Sequence, residues 1–137
     1  MVHIEQIYNL IGEMCGVKES DLKPDTDIFE ELGVVGDDFS ELIEEYSERY
    51  SVKMDSYRWY FHGDDEGNNL LAFIFKPPNE KVQRIPVTPQ MLLEFARTKE
   101  WTLNYPEHEE PTDRRDLTYS NIGAALIFLF IFLFLMK

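Results

Sequence analysis

Residues Ile122 to Met136 read IGAALIFLFIFLFLM, fifteen residues without a charge or a strong polar group, and eleven of them are Leu, Ile or Phe. A run that is apolar on every face has no polar side to give to water, so as a helix it calls for enclosure by protein or lipid. Such a helix rises about 22 Å, which is short for a ~30 Å hydrocarbon core. Extending it back to Leu117 places Thr118, Tyr119, Ser120 and Asn121 at headgroup depth, where a tyrosine is well suited. The expectation is therefore a transmembrane helix over residues 117–136, with Ile122, Leu126, Phe128, Phe130, Phe132 and Phe134 facing lipid. A buried core helix is the alternative for a run of this length. Arg114 and Arg115 precede the run and only Lys137 follows it, which orients the N-terminal part toward the cytoplasm. The opening MVHIEQIYNL has neither the basic start nor the long apolar stretch of an export signal. The expected protein is single-pass and tail-anchored, with the lipid bilayer among its partners.

The remainder divides into one domain over 1–104 and a polar linker over 105–116. Residues 1–116 hold all 26 acids and 12 of the 13 bases. So acidic a surface repels nucleic acid phosphates and suits a protein partner with a basic patch. Cys15 is the single cysteine, which excludes an internal disulfide and a multi-cysteine zinc site. Its expected role is that of a small buried residue on the first helix.

Ile4, Ile7, Tyr8, Ile11 and Met14 recur at helical spacing and predict a first helix over about 2–15, stopped at Gly16. Pro24 breaks the polar stretch that follows, and Ile28, Phe29 and Leu32 form a short turn able to plug a core. Gly33-Val-Val-Gly36 is an apolar corner. Asp37 and Asp38 then stand where helix N-caps belong. Phe39, Leu42, Ile43, Tyr46 and Tyr50 mark one apolar stripe of a second helix over about 38–50, and Glu41, Glu44, Glu45 and Glu48 project away from it. Only Arg49 dilutes that anionic face. Like charges at these spacings destabilise an isolated helix by a few tenths of a kcal/mol per pair. Recognition of a basic partner rationalises that cost, and a merely solvated face is the bland alternative.

Residues 55–61, DSYRWYF, read as a short helical or irregular piece, and His62 to Asn69 as a polar loop. Within that loop His62-Gly-Asp64-Asp65-Glu66 lacks the full calcium-loop spacing and reads as solvated, so no metal is expected. Leu70 to Phe75 is too short to assign by pattern. Thr88 caps a last helix with Pro89 at its first position and Met91, Leu92, Phe95 and Ala96 inward, and Trp101 closes the core. His108 lies in the acidic linker and is expected to sit in water. No nucleophile elbow, P-loop, dinucleotide fingerprint or zinc pattern is present, and no catalytic residues are assigned.

Residues 10–52 resemble an acyl carrier protein without a gap. The matching stretches are Leu10-Ile-Gly-Glu-Met-Cys-Gly-Val17, Phe29-Glu-Glu-Leu-Gly33, Glu41-Leu42 and Glu48-Arg-Tyr-Ser-Val52, and Ile85 to Trp101 is similar to a carrier's last helix. The layout, with residues 57–84 as an insertion, resembles a small bacterial family of acyl-carrier-like proteins catalogued as a domain of unknown function. The resemblance implies an all-α, acyl-carrier-like small helical bundle with an irregular insertion. Carriers attach 4′-phosphopantetheine to the serine of a D-S-L triplet, and here Val35-Gly36-Asp37 falls on that triplet. Ser40 is nearby, about one turn inside the helix and without that context. The resemblance thus implies a degenerate carrier with no cofactor.

The expected function is a non-enzymatic interaction module at a bacterial inner membrane. Asp37, Asp38, Glu41, Glu44, Glu45 and Glu48 would dock a basic partner, such as a membrane or lipid-pathway enzyme. One alternative is a functional carrier modified at Ser40. Another is a structural membrane-complex subunit, although the tail has no small-xxx-small pattern for tight helix pairing.

Overall fold

The computed structural model describes residues 1–64, 76–111 and 115–136. Among these the chain is helical: α1 (Ile4–Cys15), α2 (Gly36–Tyr50), α3 (Pro89–Thr98) and α4 (Arg115–Leu135), with short 3-10 turns at Glu19–Asp21, Trp59–Phe61 and Pro78–Lys81. No strand forms among the described residues, and a single parallel bridge pairs Lys53 with Glu100. Leu70 to Phe75, Asp65 and Glu66 lie outside the described residues.

α1 packs against both α2 and α3. Its buried residues are Ile7, Leu10 and Ile11, while Met14 is exposed. The stripe is therefore rotated toward Leu10 from the one the spacing predicts. Gly16 ends the helix at φ 67°, a left-handed turn in which its N–H reaches the Gly12 carbonyl at 3.0 Å. α2 contributes Phe39, Leu42, Ile43, Tyr46 and Tyr50 to the core, and α3 contributes Leu92, Leu93, Phe95 and Ala96. Two tyrosines tie the layers: Tyr46 Oη donates to the Leu92 carbonyl at 2.6 Å, and Tyr50 Oη to the Gln6 carbonyl at 2.9 Å. As the sequence predicts, Thr88 caps α3 by accepting the Met91 N–H at 3.3 Å, with Pro89 opening the helix.

The loop between α1 and α2 is held by Asp27. Its Oδ1 accepts the N–H groups of Phe29 and Glu30, and its carboxylate takes both Nη atoms of Arg84, Nη2 at 2.5 Å. Burial pushes the Asp27 carboxyl up, but Arg84 and the two backbone donors outweigh it and hold the group below the usual carboxylate range. Ile28 beside it is fully buried, with Phe29 and Leu32 packed against the core.

Among the described residues no helix is long and apolar enough to cross a membrane. This corrects the expected transmembrane helix over 117–136, with the membrane-spanning roles of Ile122, Leu126, Phe128, Phe130, Phe132 and Phe134, and the single-pass inner-membrane placement. The physical reason is length: α4 begins with Arg115 and Asp116 and runs through Thr118, Ser120 and Asn121 before its fifteen apolar residues start. Those fifteen residues rise about 22 Å against the ~30 Å of a hydrocarbon core. No described residue of α4 joins the hydrophobic core, and its large side chains from Leu126 to Met136 are exposed.

Candidate docking face on α2

α2 begins one to two residues earlier than its sequence suggests. Val35 is the N-cap and makes no side-chain cap bond, so Asp37 and Asp38 sit inside the first turn rather than at the cap. The corner before it needs left-handed backbone at Gly33 (φ 68°) and Gly36 (φ 56°), which glycine supplies without a Cβ clash. In the first turn the two aspartates still face the partial positive charge of the helix N-terminus, a favourable placement of about 0.3–1 kcal/mol each.

The six acids expected to act together lie on one helix. Asp37, Asp38, Glu41, Glu44 and Glu48 are exposed, and Glu45 is half-buried. From Asp37 to Glu48 the row extends roughly 16 Å along the axis. Glu45 pairs with Arg49 at 2.9 Å, and Arg49 reaches across to Glu13 of α1 at 2.7 Å. None of the other five carboxylates forms an ion pair among the described residues. The buried apolar stripe fixes the helix from the opposite side, so the acids are presented on a rigid support.

Ser40 is exposed, and its hydroxyl donates to the Gly36 carbonyl one turn back at 3.2 Å. Cys15 is half-buried and packs against the core, where burial, helped by the Asp38 charge, pushes its thiol up to about 11. At neutral pH it is a thiol rather than a thiolate and a poor nucleophile.

His62 is where the sequence reading fails most. The expected solvated loop residue is fully buried, stacked on Tyr57 with centroids 5.4 Å apart and edge-on to Trp101 at 5.5 Å. Its hydrogen bonds follow from counting donors. The Tyr105 hydroxyl accepts the Trp101 Nε1–H at 2.9 Å and the Arg58 N–H at 3.2 Å. Both lone pairs are then occupied, so its own proton goes to His62 Nε2 at 2.8 Å. His62 Nδ1–H in turn donates to the Ile85 carbonyl at 2.8 Å. The imidazole is neutral, and neither nitrogen is free to bind a metal. Burial lowers its pKa to about 4, opposed by the Ile85 hydrogen bond and aided by the Arg84 charge. His108 also departs from its expected place in water. It is half-buried against Phe61 at 4.9 Å, with Nε2 2.8 Å from Tyr60 Oη and Nδ1 2.7 Å from the Pro106 carbonyl. These contacts join side chains from residues 57–62, 85 and 101–108. No local periodicity encodes them, and only the density of aromatic residues in DSYRWYFH hinted at them. Among the described residues no cluster of His, Cys, Asp and Glu could hold a metal ion.

A family model described as "Protein of unknown function (DUF1493)" matches residues 1–105, and the chain belongs to that family. No curated protein and no solved structure matches it. The acyl-carrier resemblance is thereby corrected: the family match carries no acyl-carrier evidence, so the carrier-like fold and the carrier modified at Ser40 are withdrawn. The motifs behind that resemblance follow local rules shared by many helical proteins. Gly16 is a left-handed helix stop, Phe29 and Leu32 are an apolar plug, and an acid-rich first turn suits any helix N-terminus.

Proposed function

We propose that this member of the DUF1493 family is a non-enzymatic interaction module that docks a basic surface of another protein through the acidic face of α2. The observation that carries the reading is the row of five exposed carboxylates, Asp37, Asp38, Glu41, Glu44 and Glu48, without a cationic partner among the described residues. Their mutual repulsion works against the helix, and a cationic partner relieves it. Such a face speeds encounter with a positively charged surface and fixes its orientation. The attraction is strongest in low salt and fades as the Debye length shortens to about 8 Å at physiological ionic strength. No catalytic step is assigned: Cys15 is kept protonated, and both nitrogens of His62 are engaged.

Replacing Glu41, Glu44 and Glu48 together by lysine is expected to abolish capture of the basic partner from host extract in low salt. The helical circular dichroism should be unchanged, because all three side chains are exposed. Undiminished capture by the triple variant would refute the assignment of this face.

A further inference from the structure

We propose that the groove between α1 and the C-terminal ends of α2 and α3 is a second docking site, which takes an extended acidic segment of a partner protein. The groove encloses about 850 Å³. It follows α1 along Gln6, Asn9 and Glu13, a wall of roughly 10 Å at helical rise, with Val2 just ahead of the helix. Such a length accommodates about three residues of extended chain. The far side carries Arg49 and Tyr50 from α2, then Ala96, Arg97 and Lys99.

The local charge is inverted relative to the molecule. The chain has 26 acids and 13 bases, yet the groove lining holds Arg49, Arg97 and Lys99 against one carboxylate, Glu13. Arg49 is shared between Glu13 at 2.7 Å and Glu45 at 2.9 Å, so Arg97 and Lys99 supply the open positive charge. Arg97 and Lys99 have no carboxylate partner among the described residues. Arg97 Nε donates to the Val2 carbonyl at 3.0 Å, and Lys99 Nζ to the Tyr50 carbonyl at 2.6 Å. Each uses one donor in this way and leaves its remaining N–H groups for a ligand. Carboxylates elsewhere on the surface are screened beyond about 8 Å at physiological salt, so an incoming acid senses chiefly the groove.

Backbone strain gathers at the same place. Ser51 (φ 52°) and Lys99 (φ 62°) are the two non-glycine residues in the left-handed region among those described, and they end α2 and α3. A side chain there is strained, because its Cβ crowds the following carbonyl oxygen. At Lys99 the left-handed turn accompanies an ammonium that crosses to the end of α2, where glycine would place no charge.

The peptide form of the ligand follows from the wall. Gln6 and Asn9 are exposed along it; Gln6 Oε1 accepts the His3 N–H at 2.9 Å and leaves its amide N–H groups, while the amide of Asn9 has no hydrogen bond within the described residues. Carboxamides at this spacing can pair with a peptide backbone while Arg97 and Lys99 take its acidic side chains. The apolar floor of Val2, Tyr50 and Ala96 offers contact to an aliphatic residue between the acids.

The test is an amide-resolved NMR titration of the full chain with a short acetylated peptide alternating glutamate and leucine. The matched glutamine–leucine peptide and inorganic phosphate serve as the other probes. The expected result is shifts at Gln6, Asn9, Ala96 and Lys99, with the glutamine peptide binding roughly tenfold or more weakly. Arg97→Gln should weaken the glutamate peptide by a similar factor. Because Lys99 also caps α2, Lys99→Gln is read only alongside an unfolding curve, and Arg97→Gln carries the decision. Absence of shifts at the groove would overturn the proposal. So would equal binding of the neutral peptide, an unaffected Arg97→Gln variant, or phosphate alone displacing the glutamate peptide, which would make the groove a small-anion site.

Discussion

Lowering the pH from 6.5 to about 4 should remove about 3 kcal/mol of folding stability, and replacing His62 should remove most of that dependence. The folded-state pKa of His62 lies below its ordinary value of 6.5. As pH falls through 6.5 the unfolded chain takes the proton first, so the folded state loses ground until both forms are charged near pH 4. The junction cannot adapt cheaply. A protonated Nε2 would face a Tyr105 hydroxyl whose lone pairs already accept from Trp101 and Arg58. The Arg84 charge also opposes a second positive charge there. Asp27 acts in a separate window, because its lowered pKa gives stability that persists above the ordinary carboxylate range and is lost only as pH falls further. Urea unfolding of wild type and His62→Gln between pH 7.5 and 4.5 checks this. Parallel pH profiles for the two proteins would contradict it.

Trp101→Ala is expected to destabilise the domain by about 3–5 kcal/mol. Trp101 is fully buried, 4.7 Å from the ring of Phe95 and 5.0 Å from that of Tyr57. Its backbone is pinned as well, with its N–H on the Lys53 carbonyl at 2.9 Å and its own carbonyl taken by Ser56 Oγ. Truncation opens a cavity where α3 meets the aromatic block and takes away one of the donors to Tyr105. Trp101→Phe keeps most of the volume and loses chiefly that hydrogen bond, about 1–2 kcal/mol. Thermal melts should place Trp101→Ala on the order of 20 °C below wild type and Trp101→Phe far closer. Equal shifts for the two variants would show that the hydrogen bond rather than packing holds the junction.

The parts of this fold legible in the sequence are those set by neighbours along the chain. Thr88-Pro89 announces α3, Gly16 ends α1, and Phe39, Leu42, Ile43, Tyr46 and Tyr50 mark the buried side of α2. Small rotations escape such patterns: Leu10 turns in and Met14 out because α1 is covered by two helices, a tertiary fact. The start of α2 was misread because two aspartates fit a cap as well as a first turn, and the left-handed Gly36 decided between them. The tail misleads because its composition is that of a spanning helix, whereas its apolar run is only fifteen residues and is preceded by Thr118, Tyr119, Ser120 and Asn121. His62 was missed because its partners, Ile85, Trp101 and Tyr105, lie 23 or more positions away. The acidic face was visible in the sequence because each of its members belongs to one helical repeat. The basic groove was not, because Arg49, Arg97 and Lys99 come from two helix ends that only folding brings together.

In the proposed function α2 presents its acids to a basic protein surface. Photo-crosslinking in the native host tests it most directly, with a benzophenone amino acid placed at Glu44 and, in a second strain, at Ser20 on the exposed 3-10 turn. A specific adduct is expected from position 44, mapped to a lysine- or arginine-rich peptide of the partner, and none of the same mass from position 20. Absence of an adduct at position 44, or one mapped to a neutral or acidic peptide, would contradict it.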